Sequence, residues 1–171
     1  MKYSDAKEEF IRTWGALGTS WGINKTVAQI FALLMISPHE LSVEEIMQEL
    51  QISRGNVSMN LRILIDWGLV YKTTRKGQRK EYFYCERDIW SISRKVAEVR
   101  KNREIVPVAK VLDSVSQIDG EETAEVKEFI RVMNELNDVV RTTDQALSHF
   151  INSDRGWVSR TVIEYLKKKK S

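Results

Sequence analysis

Two short capped helices, three residues apart, leave a chain few ways to fold. In "LSVEEIMQEL" Ser42 is followed three residues later by Glu45, the spacing of a capping box, and Ile46 and Leu50 give the helix one apolar side. "QIS" leaves room only for a turn. Ser53 then caps a second helix, which runs to about Trp67 and is closed by Gly68. Its apolar residues Val57, Leu61 and Leu64 recur at steps of 4 and 3, so one side is committed to a core. "LVYKTT" and "KEYFYC" read as two strands around "RKGQR", a glycine-containing hairpin loop. Helix, tight turn, helix and basic hairpin is the sequence order of a winged helix-turn-helix.

On a helical wheel the second helix separates into two faces. Gly55, Ser58, Met59, Arg62 and Asp66 lie opposite Val57, Leu61 and Leu64, with Asn56 at the edge and Arg54 on the other flank. A solvent face would carry Glu and Lys; this one is short and polar over its first two turns. That suits a helix whose N-terminal end enters a major groove. Gly55 leaves room for the backbone to approach, and Asn56 can pair bidentately with adenine. Arg54 or Arg62 can reach guanine or phosphate, and the helix dipole favours phosphate near Ser53. An ordinary surface helix is the competing interpretation. The wing weighs against it, because Arg75, Lys76, Arg79 and Lys80 flank Gly77 where backbone phosphates would lie.

Charge is distributed to match. The net charge of the 171 residues is only +3, with a pI near 8.9. From Gln51 to Tyr84, however, seven Lys and Arg face Asp66 and Glu81, a net +5. From Asp119 to Asp154, nine acidic residues face Lys127, Arg131 and Arg141, a net −6. One part of the chain is built to meet a polyanion and the other is not.

The remainder reads as helical. Residues 5–21 carry Phe10, Trp14, Leu17 and Trp21 as an amphipathic stripe, with Gly15, Gly18 and Gly22 beside it. Each interior glycine costs about 1 kcal/mol relative to alanine, which suggests a close neighbour on that face. Asn24 caps a helix with Val27, Ile30, Phe31 and Leu34 inward, stopped by Pro38. Residues 88–118 are periodically apolar, with Pro107 expected to kink or divide the run. After a "QIDGEE" turn, Val126, Phe129, Met133, Leu136, Val140, Thr143, Leu147 and Phe150 alternate at 3 and 4 along a helix of roughly 45 Å. Two such stripes exceed the core of one small chain. Packing across a two-fold dimer is the economical answer, and an antiparallel hairpin within one chain is the alternative. A short helix from Trp157 to Leu166 and a solvated "KKKKS" tail complete the expectation.

Several function classes find no support. The chain has no apolar run of membrane-spanning length and no signal-peptide pattern at its start. Its single cysteine, Cys85, suits a reducing cytoplasm and reads as a structural thiol rather than a reactive one. The two histidines lie far apart and no phosphate-binding glycine loop is present, so neither an enzyme nor a cofactor nor a metal site is expected. Of five tryptophans, most are expected in the core. Trp14, Trp21, Tyr84 and Trp90 form a candidate effector pocket, since aromatic faces attract a quaternary ammonium by about 0.5–2 kcal/mol per ring.

"FIRTWGALGTSWGINKTVAQIFALLMIS", "LSVEEIMQELQISRGNVSMNLRILIDWGLV" and "RKGQRKEYF" together resemble the GbsR/MarR-type transcriptional regulators, in the branch named for control of glycine betaine synthesis. The match covers about residues 8–115, and "SRGNVSMNLR" with the following "WGLV" is its most specific piece. The resemblance implies a mainly α-helical, homodimeric protein: a winged helix-turn-helix DNA-binding domain with long N- and C-terminal dimerisation helices. It also implies a repressor whose operator affinity responds to a small molecule such as choline. The expected organisation is an N-terminal support helix over 1–23, a DNA-binding domain over 24–85 and a helical dimerisation region over 86–171. Ser53, Arg54, Gly55, Asn56, Ser58 and Arg62 are expected in the groove, and Arg75, Lys76, Arg79 and Lys80 on phosphates. The partner would be a palindromic DNA duplex. The competing function is a winged-helix module that binds protein instead of DNA, which should present an apolar or acidic face in place of this polar, basic one.

Overall fold

Seven of the twelve residues of Lys25–Ile36 are buried, which makes this helix the centre of the first part of the chain. A computed structural model describes residues 1–77, 79–116, 118, 123–154 and 156. It divides into two compact units, Met1–Ile92 and Ser93–Ser171. The first holds α1 (Tyr3–Ser20), α2 (Lys25–Ile36), β1 (Leu41–Ser42), α3 (Val43–Leu50), α4 (Arg54–Asp66), β2 (Val70–Thr74) and β3 (Glu81–Cys85). The three antiparallel strands stand in the order β1-β3-β2. The small strand β1, which sequence periodicity is too short to register, pairs Leu41 with Phe83 and Ser42 with Tyr82.

Local chemistry sets the element ends. Asn24 Oδ1 accepts from the Thr26 amide at 2.8 Å and starts α2. At the head of α3 the capping box is complete, with the Ser42 amide donating to Glu45 Oε2 at 2.7 Å and the Ser42 hydroxyl accepting from the Glu45 amide. Gln51 closes α3 in the left-handed region at φ 52°, and Gly68 takes the same region at φ 66° after α4. Around α2 pack α1, α3, α4 and β3. Ile46 of α3, Val57, Leu61 and Leu64 of α4, and Val70, Phe83 and Cys85 of the sheet all lie in this core.

The first helix corrects one expectation. Its buried side is Ile11, Gly15 and Gly18, while Leu17 and Trp21 of the aromatic stripe are 39% and 47% exposed. The glycine face is the packed one because a Cβ at Gly18 would lie 2.5 Å from Ala28 Cβ, and one at Gly15 would lie 2.7 Å from Gln29 Cγ. The tryptophans follow the same pattern. Trp14, Trp67 and Trp90 are half-buried and Trp21 is exposed, so none of the described tryptophans belongs to the core, which aliphatic residues and Phe31 and Phe83 fill instead.

The second unit is built on α6 (Val106–Val115) and α7 (Ala124–Ile151), preceded by α5 (Ile89–Arg100), which begins in the first unit, and a π-helical turn over Lys101–Ile105. Pro107 lies in the first turn of α6. Its ring and missing N–H disrupt the preceding turn, and the wider π turn absorbs the mismatch without breaking the helical run. Asp113 accepts from Asn137 at 2.9 Å and from Arg141 at 2.8 Å, and Lys101 reaches Asp144 at 3.2 Å and Ser148 at 2.5 Å. Contacts that move down one helix as they move up the other make α6 and α7 antiparallel, the intrachain hairpin of the two alternatives. Even so, Leu112 is the one buried hydrophobic residue among those described in this unit. Phe129, Leu136 and Val139 stay 41%, 45% and 64% exposed. The expected helix and lysine tail beyond residue 156, and most of the "QIDGEE" turn, lie outside the described residues.

Gly18→Ala should lower stability despite the better helix propensity of alanine. The gain is about 1 kcal/mol, whereas forcing two backbone-fixed methyl carbons apart costs about 1–3 kcal/mol. In urea unfolding, Ala28→Gly should therefore be less harmful in the Gly18→Ala background than in the wild-type chain.

Candidate nucleic-acid interface

Helix α4 presents the face that its sequence pattern predicts. Ser53 Oγ accepts from the Asn56 amide at 3.3 Å, and Arg54, Gly55, Ser58, Met59 and Arg62 are exposed while Asn56 is half-buried. A Cβ at Gly55 would meet nothing within 4 Å, so the space beside the first turn is open to another molecule. Met59, 58% exposed, adds an apolar surface suited to a thymine methyl group. One residue of this helix is not foreseen from its periodicity. Asn60 is wholly buried, and its Nδ2 donates to both the carbonyl and the side-chain oxygen of Asn56.

The wing is braced to its own domain. The Arg75 guanidinium lies 4.0 Å from the centre of the buried Tyr82 ring, and Lys80 Nζ lies 5.9 Å from it. Arg75 also reaches Glu40 at 3.4 Å. Glu44 takes Lys80 at 3.2 Å through one oxygen and Arg54 through the other, so a single carboxylate ties the wing to the start of α4. Lys72 pairs with Glu81 at 2.8 Å. Three of the predicted cations are thus held by carboxylates. Among the described residues Arg62, Lys76 and Arg79 have no ion pair and are exposed. Solvent screens these exposed pairs, so a phosphate arriving at Arg54, Arg75 or Lys80 competes with a weakly held partner.

Electrostatics at Glu44 reflect this position. A hydrogen bond from its own backbone amide, in the first turn of α3, is the largest influence, followed by Lys80 and then Arg54; together they draw its carboxyl down to about 2. Glu40 is lowered by its own amide and by Arg75, and Glu45 by the Ser42 hydroxyl and amide. Cys85 behaves differently, since burial pushes its thiol up and removes it as a nucleophile.

The candidate effector rings are spread over three elements of the first unit. Trp14 stacks with Phe10 at 5.4 Å on α1, and Tyr84 of β3 stacks with Tyr71 of β2 at 5.5 Å. Trp21 caps the end of α1 and Trp90 sits in the first turn of α5. An open groove of about 610 Å³ between α1, α2 and α3 is lined by other residues, among them Ile11, Gln29 and the Lys7–Glu49 ion pair of 2.6 Å. Among the described residues no cluster of three His, Cys, Asp or Glu could hold a metal, and no helix is long and apolar enough to cross a membrane.

The family model described as MarR family matches residues 21–81, from the end of α1 through the wing to the first residue of β3. This stretch is similar to the MarR family. The chain is similar to the HTH-type transcriptional regulator MmpR5 of Mycobacterium tuberculosis, 30% identical over 76 residues, or 44% of this chain and 46% of the relative. It is equally similar to the HTH-type transcriptional repressor GbsR of Bacillus subtilis, 30% identical over 70 residues, or 41% of this chain and 38% of the relative. The chain thus matches less than half the length of either. A crystal structure of a transcriptional regulator superposes with a TM-score of 0.67 at 20% identity, over 91% of this chain and 99% of that one, which establishes the fold. In this winged-helix order α4 is the second helix of the helix-turn-helix and the β2–β3 loop is the wing.

Because the Glu44 carboxyl is held low, its ion pairs persist as pH falls through the ordinary carboxylate range and are lost only as pH falls through about 2. Lys80→Ala should raise the Glu44 titration midpoint toward the ordinary value, a shift that side-chain carboxyl NMR would read directly.

Proposed function

We propose that this chain is a sequence-specific DNA-binding transcriptional regulator of the MarR type, acting as a homodimeric repressor in the cytoplasm. The observation that carries the proposal is the pairing, on one domain, of an exposed polar α4 face with the wing cations Lys76 and Arg79, which have no ion pair among the described residues. Major-groove edges would meet Ser53, Arg54, Gly55, Asn56, Ser58 and Arg62. Phosphates would meet Arg75, Lys76, Arg79 and Lys80, with Glu44 and Glu40 giving up their cations as DNA arrives. Repression is favoured by the name of one relative. A quaternary ammonium compound held by Trp14, Trp21, Tyr84 and Trp90 would act by preferring one spacing of the two recognition helices, shifting the population by no more than its differential affinity.

Duplex binding measured against salt tests the wing. Each phosphate contact contributes about 0.9 to the slope of log K on log salt. Lys76→Ala with Arg79→Ala should therefore weaken binding to all sequences alike and flatten the slope by about 2. A loss confined to the specific site, with the slope intact, would count against phosphate contacts by these two residues.

The dimer rests on the open side of α7. Phe129, Leu136 and Val139 remain exposed after α6 has packed, and a second copy with the same stripe would cover them about a two-fold axis, setting two α4 helices on successive major grooves of a palindrome. Sedimentation at micromolar concentration should show a dimer, and Leu136→Glu with Val139→Glu should shift it to monomer. A monomeric wild-type chain would rule this arrangement out.

A further inference from the structure

Helix α4 keeps a polar side chain where its periodicity calls for an apolar one. Asn60 lies three residues after Val57 and four before Leu64, and is 0% exposed. Its Nδ2 donates to the Asn56 carbonyl at 2.7 Å and to Asn56 Oδ1 at 2.6 Å. Its own Oδ1 is buried and, among the described residues, accepts no hydrogen bond. The reverse amide orientation would set Oδ1 against two oxygens, so the NH₂ is the group that belongs between them. An unmade buried acceptor forfeits the hydrogen bond it would have made to water, and a leucine here would avoid that loss. Helix stability alone gives no reason for the asparagine.

We infer that Asn60 is a positioning residue that decides which end of the Asn56 carboxamide faces the DNA; this rests on the DNA-binding role proposed above. With Asn56 Oδ1 turned toward Asn60, Asn56 Nδ2 is the end left for the groove, and among the described residues it donates to nothing. An outward NH₂ seeks an acceptor: a purine N7, guanine O6 or thymine O4. The bidentate adenine contact expected from the residue type alone needs an outward acceptor as well, and Asn60 draws that acceptor inward. Asn60 thus acts on base choice without touching a base, through a two-proton clamp one helical turn along α4.

Selection of duplexes from a random-sequence library, using the full chain and its Asn60→Leu, Asn56→Ala and doubly substituted variants, tests the inference. The wild type should prefer an acceptor-bearing base at one position and lose that preference when 7-deazapurines are substituted there, or, at a thymine, when O4 is replaced by sulfur. Asn60→Leu should unfold at the same or higher urea concentration and bind random duplex within about twofold of wild type. Its ratio of selected to random affinity should fall about tenfold, the equivalent of one lost base contact. In the Asn56→Ala background the same replacement should change that ratio less than twofold. An unchanged ratio in Asn60→Leu, with a specific wild type, overturns the inference and leaves the DNA-binding role standing. An equal loss in both backgrounds also overturns it, because Asn60 would not then act through Asn56. A wild type that prefers no duplex over random DNA overturns the DNA-binding role and the inference together. If Asn60→Leu fails to fold, side-chain amide exchange in the wild type decides: protected Asn60 Nδ2 protons with solvent-exchanging Asn56 Nδ2 protons are expected, and the opposite pattern refutes the clamp.

Discussion

With Val27, Ile30, Phe31, Leu33 and Leu34 removed from water, α2 commits the apolar sides of its neighbours. Ile46 of α3, and Val57, Leu61 and Leu64 of α4, fold onto the core it anchors, and Phe83 and Cys85 of β3 complete it. Each large aliphatic side chain buried this way contributes about 1.5–3 kcal/mol relative to exposure. The outward faces are then no longer free to vary. Once Val57, Leu61 and Leu64 point inward, Gly55, Ser58, Met59 and Arg62 must point out. The proposed recognition surface is a by-product of the core.

Polar contacts then refine what the core positions. Glu44 stands in the first turn of α3, where backbone amides favour a carboxylate, and from there reaches both Arg54 and Lys80. Tyr82 lies under Arg75 and Lys80 from the far side of the wing. Much of the positive charge counted along the sequence is therefore matched before any polyanion arrives. Arg62, Lys76 and Arg79 are left as the cations with the least to give up. A partly neutralised surface of this kind restrains binding to arbitrary anions, and under the proposed function it leaves discrimination to the exposed polar side chains of α4.

The second unit follows a different logic. Its two helices meet through Asp113, Asn137, Arg141, Lys101 and Asp144, a polar seam at the edge of a thin apolar contact. A hairpin with Leu112 as its one buried hydrophobic residue among those described cannot cover a stripe as long as that of α7. Both packing alternatives read from the sequence keep a place: the hairpin forms within the chain, and the exposed remainder of the stripe motivates the dimer.

The amino-acid sequence by itself determined everything that depends on near neighbours. Caps at Asn24, Ser42 and Ser53 and the stop at Gly68 are written in contacts of two to four residues. So are the α4 stripe, the hairpin and the division of the long run before Pro107. What only the tertiary structure decided depends on partners distant in the chain. Gly15 and Gly18 are the packed side of α1 because Ala28 and Gln29 come within reach of them, and that leaves Trp21 outside. Arg54 and Lys80 share Glu44, which no spacing along the chain announces. Asn60 is the intermediate case. Its place four residues after Asn56 is local, yet its burial, and with it the strength of its hold on Asn56, comes from the core that closes over α4. Periodicity reports which side of a helix faces inward; only the assembled fold reports what that side meets.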